Sequence, residues 1–215
     1  MKKIVYAMLC ILLVLSAGCV NSNGSIQQTD EAAPQSTESV QQSDEAAPQS
    51  VGKVHVAIDV KDYGTITVEL DGDNAPISVN NFVSLVKEGF YDGLTFHRIM
   101  TGFMIQGGDP KGTGKGGSDK TIKGEFSLNG VENTLSHTRG AISMARSDDY
   151  NSASSQFFIV HEDSTFLDGQ YAAFGYVTDG MDIVDRICED TPVVDNNGKV
   201  EKENQPVINS IKVID

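Results

Sequence analysis

Cysteine is scarce in this chain, with three in 215 residues. Cys10 and Cys19 fall within the first twenty positions, so Cys188 stands alone in the remainder and an internal disulfide framework is excluded. The four histidines, His55, His97, His137 and His161, are scattered, and no cysteine–histidine cluster has metal-ligand spacing. They read as structural, and no metal or cofactor is expected. Basic residues are also few: 16 Lys and Arg against 30 Asp and Glu leave a formal net charge of −14. That disfavours nucleic acid as a partner, because phosphate contacts need a basic face. Tryptophan is absent altogether. No apolar run is long enough for a comfortable membrane span, the longest being Ile4 to Leu15. A phosphate-binding loop is missing too. The run GTGKGG comes close, but the required first glycine falls on Asp109, and Gly116 stands where Ser or Thr should follow Lys115.

What is present begins with a targeting segment over residues 1–18, set aside from the fold. Lys2 and Lys3 precede the apolar core, and Leu15-Ser16-Ala17-Gly18 lead into Cys19. Small residues directly before a cysteine resemble a lipoprotein cleavage box, with Cys19 as the lipid-modified first residue of the mature chain. The expected location is the extracytoplasmic face of a cell membrane. Residues 19–52 then form a linker rich in Gln, Ser, Ala and Glu, with too little apolar surface to order itself. It carries a duplication, QQTDEAAPQS at 27–36 and QQSDEAAPQS at 41–50. Without apolar periodicity this reads as a repeated tether, able to stretch to about 110 Å.

The folded part covers 53–215. Residues 54–60 and 65–70 alternate around Asp62-Tyr63-Gly64 and predict a hairpin. Asn74-Ala75-Pro76 opens a helix with Asn74 placed to cap it, Val79, Phe82, Val83 and Val86 at helical spacing, and Gly89 at its end. Strands are predicted near 140–145, 156–160, 172–177 and 207–214. A second helix over 181–188 would bury Ile183, Val184 and Ile187. Many short strands with two helices make a mainly β fold, a barrel or sandwich.

The most informative run is LTFHRIMTGFMIQGGDP, residues 94–110. Period-two alternation puts Phe96, Arg98 and Met100 on one face and His97 and Ile99 on the other. Met104 and Gln106 share a face after Gly102. In SSQFFI, Gln156 and Phe158 share a face opposite Phe157; two core phenylalanines and an edge glutamine would fit that pattern equally well. Alternation does not put Phe103 and Met104 together, so if both line one pocket the chain must bend near Gly102.

The stretches FHRI…GFMIQGGD, ISMARSDDYNSASSQFFI and FLDGQYAAFGYV resemble, in order and spacing, the signature of the cyclophilin family of peptidyl-prolyl cis-trans isomerases. The resemblance runs from about Val54 to Asp215. It implies a closed eight-stranded antiparallel β-barrel capped by two α-helices. It also implies a monomer that acts on proline-containing peptides without a cofactor; with the leader read above, the expected clients are unfolded exported proteins. Carried over residue by residue, Arg98 matches the catalytic arginine. Phe103, Met104, Phe158 and Leu167 match the pocket for the proline ring, and Gln106, Ala145 and Gln156 match positions that hold the peptide backbone. Phe166 stands where many members carry tryptophan, Tyr171 where many carry histidine, and Arg146 where asparagine is common. The first two substitutions keep an aromatic ring but bear on cyclosporin sensitivity. A membrane-tethered binding module that uses the same groove without catalysis is the alternative; retention of Arg98 favours the enzyme.

Overall fold

The structure, a computed structural model, describes residues 49–215. The leader, Cys19 and nearly all of the linker lie outside the described residues. Eight strands form one antiparallel sheet: β1 (Lys53–Val60), β2 (Gly64–Asp71), β3 (Phe96–Met100), β4 (Met104–Gly107), β5 (Ala141–Met144), β6 (Phe157–Val160), β7 (Ala173–Asp179) and β8 (Ile208–Val213). Their spatial order is β3-β4-β6-β5-β7-β2-β1-β8. The expected closed barrel needs correction, because the sheet keeps two ends, β3 and β8, with no ladder between them. Those ends approach through a seam. Thr95 forms an isolated bridge with Val207, and the Phe96 and Ile208 amides donate to Pro206 and Leu94 carbonyls at 3.0 and 2.8 Å. The sheet curls around its core, and at the seam the first residue of each end strand bonds to the backbone that flanks the other.

β1 and β2 pair in the predicted hairpin, from Lys53 opposite Asp71 to Val60 opposite Gly64. Their inward residues, Val56, Ile58, Val60, Ile66, Val68 and Leu70, are all buried. Two helices cover the core. α1 (Pro76–Lys87) buries Val79, Phe82, Leu85 and Val86, while Val83 is only partly buried. The Phe82 ring meets Tyr91, Phe157 and Phe174 at centroid distances of 5.0, 5.4 and 5.3 Å. α2 (Met181–Asp190) buries the three expected residues and Cys188. Burial, with further pressure from Asp185 and Glu189 against an opposing Arg139, pushes the Cys188 thiol up to about 12.

The start of α1 differs from its reading in the sequence. Ala75 is the N-cap, and Asn74 turns back to donate its amide to Asp71. The helix amides find their acceptor elsewhere. Glu125, 1 % exposed, accepts from the Ile77 and Ser78 backbone N–H groups at 2.8 Å each and from the Ser78 hydroxyl at 2.7 Å. Pro76 has no N–H to offer, so these are the first free donors of the helix. A carboxylate there also complements the helix dipole. Glu125→Ala orphans all three donors and should cost about 3 kcal/mol of stability, read as a lower urea midpoint. A midpoint equal to the parent's would show that this carboxylate does not hold the helix.

Candidate active site

β3 does not alternate simply. Phe96 pairs with Gly107 and Arg98 with Gln106, so His97 is an extra residue on its strand, a β-bulge. Phe96 therefore turns to the core side with Ile99, away from Arg98 and Met100, which corrects the flat-strand expectation. Two rows then cross four strands. On the core face, Ile99, Ile105, Ile159 and Ile142 are successive partners; on the other face, Arg98, Gln106, Phe158 and Ser143 are. His97 is buried at the bulge, and neither ring nitrogen has a hydrogen-bond partner among the described residues. Burial, aided by Arg98 and opposed by Asp109, lowers its pKa.

The second face carries a pocket of about 210 Å³. Around it the structure gathers Arg98, Phe103, Met104, Gln106, Ala145, Phe158, Leu167 and Tyr171, together with Arg146. Gly102, at φ +81, supplies the bend that brings Phe103 beside Met104. Phe166 is not among the lining residues. It is 65 % exposed and rests its ring against Phe103 at 5.7 Å. Gln156 lines an adjoining pocket, accepts from the Gln106 amide at 2.8 Å and donates to the Gly116 carbonyl at 2.7 Å.

Arg98 donates through Nε to the Asn197 carbonyl at 2.7 Å and through Nη1 to Gln106 Oε1 at 3.2 Å. Its other neighbours are sulfurs, Met100 Sδ at 3.0 Å and Met104 Sδ at 3.9 Å, which are weak acceptors. Among the described residues no carboxylate lies within 4 Å of it. Burial lowers its pKa, against the pull of Tyr171 and Asp195, yet a guanidinium stays cationic at any physiological pH.

Support comes from residues to which the sequence assigned no role in the site: His137, read there only as structural, and Arg146, noted there only as a departure from the family pattern. The buried His137 ring lies parallel to Phe158 with 6.0 Å between centroids, and links Ser143 Oγ at 2.9 Å to Asp168 at 2.8 Å. Arg146 lies over three rings, Tyr171, Tyr150 and Phe126, at 4.6, 4.9 and 5.2 Å. The glycine run that misses the phosphate-loop pattern is nonetheless an anion cradle, closed around Asp109 of the same loop. The Lys111, Thr113 and Gly114 amides donate to that carboxylate at 2.8, 2.9 and 2.7 Å. A side chain at Gly116 would collide with it.

Known proteins can now be compared with this arrangement. The family model "Cyclophilin type peptidyl-prolyl cis-trans isomerase/CLD" matches residues 55–213. The chain belongs to the cyclophilin-type peptidyl-prolyl cis-trans isomerases. Peptidyl-prolyl cis-trans isomerase B of Bacillus subtilis is 44 % identical over 144 residues, 67 % of this chain and 92 % of that protein. Peptidyl-prolyl cis-trans isomerase-like 1 of Rhizopus delemar is 47 % identical over 125 residues, 58 % of this chain and 74 % of its own length. A crystal structure of a Cryptosporidium parvum cyclophilin, determined in the presence of the dipeptide Ala-Pro, superposes with a TM-score of 0.66 at 32 % identity. It covers 75 % of this chain and 99 % of its own. The cyclophilin fold accounts for the eight antiparallel strands and two helices, and the family for isomerase activity.

Asp109 ties the glycine loop of this cyclophilin to its acid stability. Burial alone would raise the carboxyl, but the Lys111, Thr113, Gly116 and Gly114 amides outweigh it and bring the pKa from 3.8 to about 2. A depressed folded pKa gives stability that is full above the unfolded value of about 3.9 and lost as pH falls through the folded one. Asp109→Asn should therefore flatten acid unfolding between pH 4 and pH 2, measured by circular dichroism. An acid limb as steep as the parent's would contradict this role.

Proposed function

We propose that the pocket beside Arg98 holds the ring of a substrate proline while the guanidinium stabilises the twisted amide. Rotation about an X–Pro bond is slow because resonance gives the C–N bond double-bond character, with a barrier of about 18–20 kcal/mol. No bond is made or broken, so neither a nucleophile nor an acid–base pair is needed. As the amide twists, the proline nitrogen becomes pyramidal and gains a lone pair that the planar ground state lacks. A donor held against that lone pair binds the transition state selectively.

The observation that carries this reading is Arg98 itself. Its cation is partly desolvated beside Phe103, Met104 and Phe158, and among the described residues it faces sulfur and amide oxygen instead of a carboxylate. Acceleration by about 10⁵ needs roughly 7 kcal/mol. One charge-assisted hydrogen bond supplies part of that; exclusion of water and fixed backbone contacts supply the rest. Gln106, Gln156 and Ala145 are the backbone-holding groups in this reading. The first two brace each other, and among the described residues none donates to the Ala145 carbonyl.

Arg98→Ala should leave the fold intact and lose most of the isomerase activity toward an X–Pro peptide in an NMR exchange assay. Arg98→Lys should rescue poorly, since lysine lacks the planar fork and is more strongly hydrated. Near-normal turnover by a folded Arg98→Ala protein would remove this mechanism.

The proposal extends to location. The basic start, short apolar core and Leu-Ser-Ala-Gly-Cys order support a lipid on Cys19, and the acidic linker supplies no basic patch for membrane adhesion. One acyl chain holds a protein only marginally, so at least two are expected. The isomerase would then stand off the membrane surface and assist the folding of exported proteins. Mass spectrometry of the native N-terminus should find an acylated Cys19, and Cys19→Ser should release the chain or leave an uncleaved precursor. An unmodified mature chain starting at or beyond Cys19 would defeat the anchor.

A further inference from the structure

A second, larger pocket of about 470 Å³ adjoins the proline pocket and shares Gln106, Ala145 and Arg146 with it. Among the described residues its lining includes two cations, Arg146 and Lys115, and the hydroxyls of Ser118, Ser152 and Ser154, but no Asp or Glu. This is unusual in a chain with a net charge of −14. The charge is local: residues 110–123 carry four lysines, Lys111, Lys115, Lys120 and Lys123, against one acid, Asp119. Asp109, which precedes them, is turned into the loop and taken up by backbone amides.

Arg146 is held in place by groups that leave its charge uncompensated. Nε and Nη2 donate to the Gln170 carbonyl at 3.1 and 2.9 Å, and Nη1 donates to the Ser147 carbonyl at 2.8 Å. All these acceptors are neutral, and the three aromatic rings fix the guanidinium plane. Among the described residues no carboxylate lies within 4 Å of Arg146 or of Lys115. Asp149, nearby in sequence, spends a carboxylate oxygen on the Asn151 amide. One N–H of Nη2 is left without an acceptor among the described residues.

We infer that this pocket receives a carboxylate side chain of the substrate, so that the isomerase prefers prolines with Asp or Glu a few residues away. An extended peptide advances about 3.3 Å per residue. A side chain two or three positions from the proline would thus enter the neighbouring pocket while the ring occupies the first. Arg146 and Lys115 are the specificity-determining residues. The inference rests on the proline pocket being the site of isomerisation.

The test compares peptides with the full chain in 0.15 M salt, where the Debye length of about 8 Å screens the bulk repulsion between protein and acidic peptide. One pair is Asp-Glu-Ala-Ala-Pro-Gln-Ser, the order of residues 30–36 of this chain, against Asn-Gln-Ala-Ala-Pro-Gln-Ser. A second pair carries the acids or amides after the proline. In one pair the acidic peptide should be turned over with kcat/KM about three- to tenfold higher, the range of one or two partly exposed ion pairs. That ratio should fall toward one in Lys115→Gln, which alters an exposed side chain, and in Arg146→Asn. Equal kcat/KM within both pairs overturns the inference. So does a preference that survives both substitutions unchanged, because the charge would then be read elsewhere. Turnover of neither peptide would instead overturn the isomerase reading, and peptide-induced NMR shifts would still show whether the acidic member binds more tightly.

Discussion

β3 has to deliver a phenylalanine to the core and, two residues later, an arginine to the opposite face. A regular strand cannot do this, since residues i and i+2 share a side. The single extra residue at His97 resolves the conflict, and the rest of the site depends on it. Without the bulge, Phe96 in register would drag Arg98 into the isoleucine row, a buried charge with no partner. Gly107 meets the same constraint from the neighbouring strand, because a side chain there would press on the Phe96 ring and the Thr95 carbonyl.

Charge is distributed inside the domain in a consistent way. Two inward carboxylates, Glu125 and Asp109, are consumed by backbone N–H groups, at the head of α1 and within the glycine loop. The guanidiniums at the site are held by carbonyls, sulfurs and rings. In an acidic chain this separation keeps the site's cations available. In the proposed mechanism, a guanidinium already paired with a carboxylate would have little left to offer an amide nitrogen. Behind the pocket, the Ser143–His137–Asp168 chain fixes the ground on which Phe158 sits. Burial, against the pull of Asp168, keeps the His137 pKa below the ordinary range and favours the neutral ring.

Much of this was legible in the sequence where the signal is local. Alternation located the β1–β2 hairpin and the final strand, and helical spacing found the buried face of α2 with Ile183, Val184 and Ile187. The Gln156–Phe158 face was visible beside Phe157. What was not legible is non-local. Nothing in the order of residues links Glu125 to Ser78, which are 47 positions apart, so the nearby Asn74 looked like the cap. A bulge leaves no mark in alternation except a face that comes out wrong, as Phe96 did. The glycine loop could be rejected as a phosphate site by spacing, but the anion it encloses could only be seen once the chain closed on itself. Barrel closure depends on whether two edges meet in register, and strand count does not contain that information.

Cys188 lies on the inner side of α2, buried, with its thiol held to about 12. Thiolates react and thiols do not, so in the folded state this sulfur is doubly shielded, by packing and by protonation. It becomes reactive only when α2 lifts from the sheet or the domain unfolds, and its pKa then returns to the ordinary range. The rate at which an alkylating reagent modifies Cys188 is thus a clock for that opening, carried by the native sequence without an engineered label. α2 packs on β2, and the Cys188 carbonyl accepts from the Thr101 hydroxyl at 3.1 Å in the turn that joins β3 to β4, so the clock reports on the scaffold and on the turn that carries Phe103 to the pocket.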